Sequence, residues 1–168
     1  MGDGRKRTSK LQKSFAIVIV ACIAIIFFSS FDDIQAKARD ATRQSDVQDI
    51  VKAMDLYYDR FGKYPDTIDS DYGGWDTTIE PEGHPQQFMA ELVKEGLLSG
   101  HPADPVNDNV YYYRYQSFPR GSFGCTRAFV VFQIFNFETI QEGHGSGDCP
   151  ERDFISEAPN GFTIFRFQ

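Results

Sequence analysis

The apolar residues between positions 47 and 61 recur every three or four positions along the chain. This spacing places them on one side of an α-helix, while mostly charged and polar residues fall on the other side. Gly62 can adopt the left-handed conformation that ends a helix, and Pro65 disfavours helical geometry at Tyr64. The pattern predicts an amphipathic helix ending at Phe61, whose buried stripe comprises Val47, Ile50, Val51, Met54, Tyr57 or Tyr58, and Phe61.

An uncharged apolar stretch lies nearer the N-terminus. Residues 14–31 read SFAIVIVACIAIIFFSSF, 18 residues without a charge; as a helix they would span roughly 27 Å, close to the ~30 Å hydrocarbon core of a bilayer. Residues 1–13 carry five basic residues and one acidic residue, whereas Asp32 and Asp33 follow the stretch. The positive-inside rule predicts a cytoplasmic basic stub (1–13), a transmembrane helix (14–31) and an extracytoplasmic remainder, hence a single-pass membrane protein.

A cleaved signal peptide is the alternative interpretation of the same stretch. The small residues Ala36 and Ala38 have the spacing of a cleavage site, but they lie beyond two charges, and bulky Phe31 ends the apolar run. These features favour an uncleaved anchor.

The segment between the anchor and the amphipathic stripe contains no Gly or Pro and mixes both signs of charge. It predicts one continuous helix from about Ser14 to Phe61, whose extracytoplasmic part covers 32–62. Two helices with a bend at Asp32–Asp33 are the alternative. A globular head, 63–168, is expected to follow.

The head begins with a loop pattern and ends with strand patterns. Residues 66–85 are rich in Asp, Gly, Pro and Thr without a period, which indicates an ordered loop. A short amphipathic helix of two to three turns follows, with apolar residues at Phe88, Met89, Leu92, Val93 and Leu97. Strands are predicted at 110–116, 127–138 and 162–167. The expected fold class is α+β, with a small antiparallel sheet lying across the long helix.

The longest predicted strand is apolar on both faces. Phe129, Val131 and Gln133 alternate with Val130 and Phe132. One face is expected to cover the helix stripe. The other is either covered by segment 66–100, which we favour, or left as a contact surface for another subunit.

The charge of the chain limits its partners. The net charge is −7, and without residues 1–13 the remainder carries 12 basic against 23 acidic residues, a net −11. An acidic domain without a basic cluster argues against nucleic acid and anionic lipid headgroups as partners. Solubility of an exported domain accounts for this acidity.

Three cysteines have different predicted environments. Cys22 falls within the apolar stretch, where a small packing role is expected. Cys125 and Cys149 fall outside the cytoplasm in the predicted topology, in an oxidising compartment, and flank the longest strand. They are predicted to form a disulfide. A metal site with nearby His144 is the alternative, but it lacks a fourth soft ligand.

The sequence contains no convincing catalytic pattern, so an enzyme is not expected. The histidines stand in Gly- and Pro-rich segments without HExxH spacing, and no phosphate-binding loop is present. Asp104, Asn107 and Asp108 have oxygen atoms suited to Ca²⁺, but such clusters before a strand usually form turns. We therefore expect turns at these residues and no cofactor.

Two stretches resemble type IV pilins and type II secretion pseudopilins. The first is AKARDATRQSDVQDIVKAMDLYYDRFGKYPD after the basic stub and apolar helix; the second is FMAELVKEGLLSGHPADPVNDNVYYYRYQ. Together the similarity covers residues 11–66 and 88–116, about half of the chain. It implies an extended N-terminal helix able to pack in a filament core and a small β head. It also implies that Gly62, Tyr64 and Pro65 form the helix-to-head junction, and the cysteine pair resembles the C-terminal disulfide loop of pilins.

The processing site departs from the family pattern. The family has Gly before Phe or Met, and a Glu five residues into the mature chain; here Ser14 precedes Phe15 and Ile19 takes the acidic position. Two function classes remain open. One is a structural subunit that binds other pilin-like subunits, itself or minor ones, through small helix residues Ala16, Ala21 and Ala24. The other is an uncleaved, membrane-tethered binding module with a pilin-like head.

Overall fold

The computed structural model describes residues 4–67, 74–79, 88–139 and 144–168; within these, the side chains of 4–14, 16, 21–30, 144 and 146 are not described. The chain divides into two compact units, an N-terminal unit, Met1–Ala38, and a C-terminal unit, Arg39–Gln168. The elements in chain order are α1 (Gly4–Phe61), β1 (Asp76–Thr77), α2 (Ala90–Lys94), β2 (Tyr113–Phe118), a 3₁₀ turn (Ser122–Gly124), β3 (Phe129–Ile134), β4 (His144–Ser146) and β5 (Phe162–Phe167).

The long helix α1 begins earlier than the sequence pattern predicts and ends where it predicts. It is helical throughout, including Asp32 and Asp33, and starts at Gly4 instead of about Ser14. Gly62 has a φ of +71°, and its N–H donates to the Tyr58 carbonyl at 2.8 Å. This left-handed residue closes the last turn. Within the part of the chain that the structure describes, no helix is long and apolar enough to cross a membrane.

The sheet has five strands in the order β1-β2-β3-β5-β4. Strands β1, β2, β3 and β5 pair antiparallel, with Phe132 opposite Tyr115 on one side and Ile164 on the other. This arrangement confirms the α+β class with a long helix and antiparallel strands. The edge strand β4 runs parallel to β5, whereas the sequence predicted a wholly antiparallel sheet. A Cβ at Gly145 would lie 2.0 Å from the Thr163 carbonyl oxygen, so this parallel pairing requires glycine there.

The first core cluster lies between α1 and one face of the sheet. Ile50, Ala53 and Met54 of the helix stripe are each 1% exposed, and they pack against alternate residues of β3, namely Val130, Phe132 and Ile134. Burial of this stripe accounts for the spacing seen in the sequence. The cluster is completed by Tyr57, Tyr64, Phe88, Met89, Leu92, Tyr113, Tyr115, Phe137 and Ile164.

The opposite face of the sheet is also buried, and among the described residues the predicted cover 66–100 accounts for only part of that burial. Phe129 and Val131 pack with Trp75, the only described residue of segment 66–100 in this cluster, and otherwise with the disulfide region. Leu92 of α2 lies in the first cluster instead, together with Phe88 and Met89 just before the helix. The remaining members of the second cluster are Phe118, Cys125, Cys149, Phe154 and Phe165, with Phe123 packed beside them.

Several predicted element bounds differ from the structure. Helix α2 has only five residues, because Met89 before it adopts a positive φ of 56° that cannot continue a helix. β2 begins three residues later than predicted and β3 is six residues long, while β5 matches its predicted range. The two-residue strand β1 interrupts the predicted loop 66–85; residues 68–73 and 80–85 of that loop lie outside the described residues.

Candidate functional site

The N-terminal unit presents large apolar side chains to its surroundings. The exposed fraction is between 46% and 71% for each of five apolar residues, namely Phe15, Ile17, Val18, Ile19 and Val20. Such a run is costly in water and requires lipid or neighbouring protein to cover it. The side chains of Ala16, Ala21 and Ala24, predicted to pack between helices, lie outside the described residues.

A buried cluster of charges fastens α1 within the C-terminal unit. We call it the ionic clamp; its members are Arg39, Asp40, Arg43, Asp104 and Glu138. The Arg43 guanidinium donates to both Asp104 carboxylate oxygens, at 2.6 and 2.8 Å. It also donates to Asp40 at 2.7 Å and to Glu138 at 2.8 Å. The clamp therefore joins the helix to two loops, 61 and 95 residues further along the chain.

The remaining bonds of the ionic clamp hold the chain just after β3. Arg39 donates to both carboxylate oxygens of Glu138. Asp40 accepts hydrogen bonds from the Glu138 and Thr139 N–H groups, at 3.0 and 2.8 Å, and from the Thr139 hydroxyl at 2.7 Å. The Arg43 side chain is fully buried, and its guanidinium also lies 4.9 Å from the centre of the Tyr111 ring. Each buried charge thus has several partners, as burial requires.

The hydrogen bonds of the ionic clamp change the acidity of its carboxyl groups. Burial alone would raise the pKa of Asp40, but the bonds from Glu138, Thr139 and Arg43 outweigh it and lower that pKa. The hydrogen bond from Arg39 lowers the pKa of Glu138, with burial opposing and Arg43 adding to the effect. Both carboxylates are therefore more stable when ionised in the folded chain than in the unfolded chain.

These two shifts predict a loss of stability in acid. A carboxylate with a lowered folded-state pKa stabilises the fold above its unfolded value of about 4, and this contribution is lost as the pH falls through the folded value. Asp46, whose pKa burial raises despite a hydrogen bond from Tyr113, contributes with the opposite sign. We expect the free energy of urea unfolding, followed by Trp75 fluorescence, to decrease from pH 6 to pH 3.

The clamp carboxylates should account for much of that decrease. The double variant Asp40→Asn/Glu138→Gln should flatten the pH dependence, whereas Asp49→Asn, which removes an exposed carboxylate of the same helix, should leave it unchanged. If the free energy of unfolding depended equally on pH in the double variant and in the wild-type chain, Asp40 and Glu138 would not be the cause of the decrease.

The predicted helix-to-head junction is held by aromatic contacts. Tyr64 is 6% exposed, and its ring centre lies 4.8 Å from that of Tyr58. The Pro65 carbonyl accepts a hydrogen bond from the buried Tyr115 hydroxyl. The chain leaving Gly62 is therefore tied back both to α1 and to β2.

Cys125 and Cys149 form a disulfide, with their Cα atoms 5.3 Å apart. Beside it, Arg152 lies 4.6 Å from the centre of the Phe123 ring and 4.5 Å from that of Phe154. Arg152 and Arg114 both pair with Glu157. The disulfide therefore holds the cover over the second face of the sheet in place.

The oxygen atoms proposed for Ca²⁺ serve turns and the ionic clamp. Asp104 Oδ1 accepts from the N–H groups of Val106 and Asn107, and both its oxygens bind Arg43. Asp108 Oδ1 accepts two further backbone N–H groups, each at 2.8 Å. These are Asx turns. Among the described residues, no group of three or more His, Cys, Asp or Glu could hold a metal ion.

A groove of about 550 Å³ runs between the outer side of α1 and β5. We call it the lateral groove. Its floor is apolar, and charged residues stand along its helical wall. Its lining comprises Val47, Gln48, Val51, Lys52, Asp55, Leu56, Asp59, Phe162 and Ile164.

A smaller cleft of about 270 Å³ opens beside β1. Its lining combines aromatic, polar and cationic side chains, namely Trp75, Thr77, Ile79, Asn109, Tyr112 and Arg114. The Arg114 guanidinium lies 4.2 Å from the centre of a Trp75 ring, and burial is the main cause of its lowered pKa. Part of the predicted loop 66–85 therefore borders a recess.

Sequence reasoning missed the ionic clamp, although a signal for it exists. Asp40 and Arg43 extend the three-to-four spacing of the buried stripe, since Arg43 stands four residues before Val47. Two charges in register with a buried stripe indicate a buried ion pair whose remaining partners come from elsewhere in the chain.

Comparisons of the chain with protein-family models, with curated proteins and with solved structures found no match.

Proposed function

We propose that this chain is a pilin-like structural subunit of a pilus or of a type II secretion-like pseudopilus, with its N-terminal helix in the membrane and its head exported. The exposed apolar side chains at Phe15 and Ile17–Val20 carry the proposal. Lipid can cover them before assembly, and the helices of neighbouring subunits can cover them afterwards.

The ionic clamp supports a structural role. A subunit of a filament needs its head held firmly on the helix that places it. Arg43 and Asp40 couple α1 to the loop before β2 and to the loop after β3 through bonds of 2.6 to 3.0 Å. Because breaking such a buried cluster is costly, the C-terminal part of α1 behaves as part of the head.

The disulfide supports export of the head. Stable disulfides persist in oxidising compartments and are rare in the cytosol. Cys125 and Cys149 are 5% and 4% exposed, so the bond lies in the interior of the head. This agrees with an N-terminus on the cytoplasmic side.

Substitutions in the apolar stretch test assembly. The double variant Ala21→Leu/Ala24→Leu keeps the stretch apolar, so membrane insertion should be unchanged, but the larger side chains should prevent close helix packing. We expect loss of sedimentable filaments and of co-purifying pilin-like subunits. The matched control Ile23→Leu/Ile25→Leu changes shape without adding volume and should assemble normally. Normal assembly of the alanine variant would contradict the subunit role.

The second candidate function is an uncleaved, membrane-tethered binding module. The cleft beside Trp75 and Arg114 favours it, because aromatic and polar groups converge there. Mass spectrometry of the protein isolated from membranes separates the two functions. A new N-terminus at Phe15 indicates a processed subunit, whereas an intact Met1 together with monomeric behaviour indicates the tethered module.

A further inference from the structure

The lateral groove has an apolar end and an acidic end. Val47 and Val51 stand one helical turn apart on its helical wall, opposite Phe162 and Ile164 of β5. Asp55 and Asp59 continue the same wall towards the C-terminal end of α1. Leu56 is 45% exposed at its rim. A segment that fills the groove must therefore place apolar side chains against Val47 and Val51 and a cation near Asp55 and Asp59.

The N-terminal unit carries a segment with this order. Phe31 and Ile34 are 55% and 64% exposed and stand three residues apart, on the same side of α1. Lys37 follows after another three residues. Within the described part of the chain it pairs with Asp33 at 3.7 Å, and both side chains of this pair are mostly exposed. The segment Phe31–Lys37 thus combines two uncovered apolar side chains with an available cation.

We infer that the lateral groove binds the Phe31–Lys37 segment of a second copy of this chain, an inference that rests on the proposed function. The charges fix the direction. When the two helices run parallel, Phe31 meets Val47, Ile34 meets Val51, and Lys37 lies between Asp55 and Asp59. In an antiparallel arrangement Lys37 would meet the apolar end. Asp33 also comes close to Lys52 in the parallel arrangement.

This contact joins two different surfaces, so each copy retains a free groove and a free segment. A contact of this kind does not close after two copies but continues from copy to copy. The pairings correspond to offsets of 16 to about 20 residues, an axial shift of about 24–30 Å at 1.5 Å per residue. The contact includes Phe31, the last residue of the apolar stretch 14–31, and its axial shift is that of subunits stacked in a filament, not of two copies at the same depth in a membrane.

Photo-crosslinking of the full chain in assemblies released from the membrane tests the contact. A benzophenone amino acid at Leu56 should yield linked dimers and higher ladders, and mass spectrometry should place the link within residues 31–37 of the other copy. The matched control carries the same group at Ser99, an exposed position away from the groove, and should give no link to that segment.

Charge reversal tests the direction of the helices. In the chain that carries the benzophenone amino acid at position 56, Lys37→Glu should lower the yield of linked dimer roughly fivefold, as expected for an exposed ion pair. Asp59→Lys should lower it similarly, and the double reversal Lys37→Glu/Asp59→Lys should restore it. Failure of the double reversal to restore the yield would overturn the parallel arrangement.

The outcomes separate this inference from the proposed function. Sedimentable assemblies without a link from Leu56 to residues 31–37 would overturn the inference and leave the subunit role standing. Links from Leu56 to Leu56, or to a different protein, would also overturn it, because a second copy would then not fill the groove with this segment. Absence of any assembly would overturn both.

Discussion

Replacing Arg43 with methionine is expected to lower the free energy of unfolding of the C-terminal unit by about 3–5 kcal/mol. The side chain is fully buried, and its removal leaves Asp40, Asp104 and Glu138 close together without their shared cation. Methionine retains most of the side-chain volume of arginine, so the loss of stability measures the effect of removing the charge. Urea unfolding of the full chain in detergent, followed by the fluorescence of its one tryptophan, measures the effect.

Two further variants test whether charge is the cause. Arg60 forms a largely exposed pair with Glu95 at 3.4 Å, so Arg60→Met should change stability by less than about 1 kcal/mol. The double variant Arg43→Met/Asp104→Asn should recover part of the loss, since asparagine removes one uncompensated charge and keeps an oxygen for the Val106 N–H. A loss below about 1 kcal/mol for Arg43→Met would show that the ionic clamp contributes little.

Removing the disulfide with Cys125→Ser/Cys149→Ser should cost about 2–4 kcal/mol. The bond spans a sequence separation of 24 residues. Closing a loop of that size lowers the conformational entropy of the unfolded chain, which stabilises the folded state by about 3 kcal/mol in the chain-entropy model. The loss should be visible at Trp75, which belongs to the same buried cluster as both cysteines.

Reductant provides an internal check on the disulfide prediction. The wild-type chain should lose stability when dithiothreitol is added, whereas the double serine variant should not respond. Cys22→Ser should behave like the wild-type chain, because Cys22 lies outside the C-terminal unit. A wild-type chain that is equally stable with and without dithiothreitol would show that the bond does not stabilise the fold.

Local patterns predicted the elements whose own residues decide their structure. The buried stripe from Val47 to Tyr57 was predicted from its spacing alone, because that side of the helix packs into the core. Phe61, also predicted to belong to the stripe, is 44% exposed. The bounds of β5 were predicted correctly because its residues are mostly aromatic or β-branched and begin directly after Gly161. The end of α1 was predicted correctly from Gly62, because glycine adopts the left-handed conformation that ends a helix without help from distant residues.

Features that depend on distant partners could not be predicted in this way. Arg43 is buried only because Asp104 and Glu138, far along the chain, neutralise it. The parallel strand β4 falls in a segment rich in glycine that reads as a turn, and its pairing depends on a close approach to Thr163. The cover over Phe129 depends on the disulfide region, which no periodicity in the sequence indicates.

The described edges of the sheet are short. β1 has two residues and β4 has three, whereas the three strands between them each have six. A long, flat edge would offer unpaired backbone groups to the strands of another molecule and invite amyloid-like aggregation. With edges this short, many copies of the chain can be concentrated without their sheets pairing, and contacts between copies are left to the side chains.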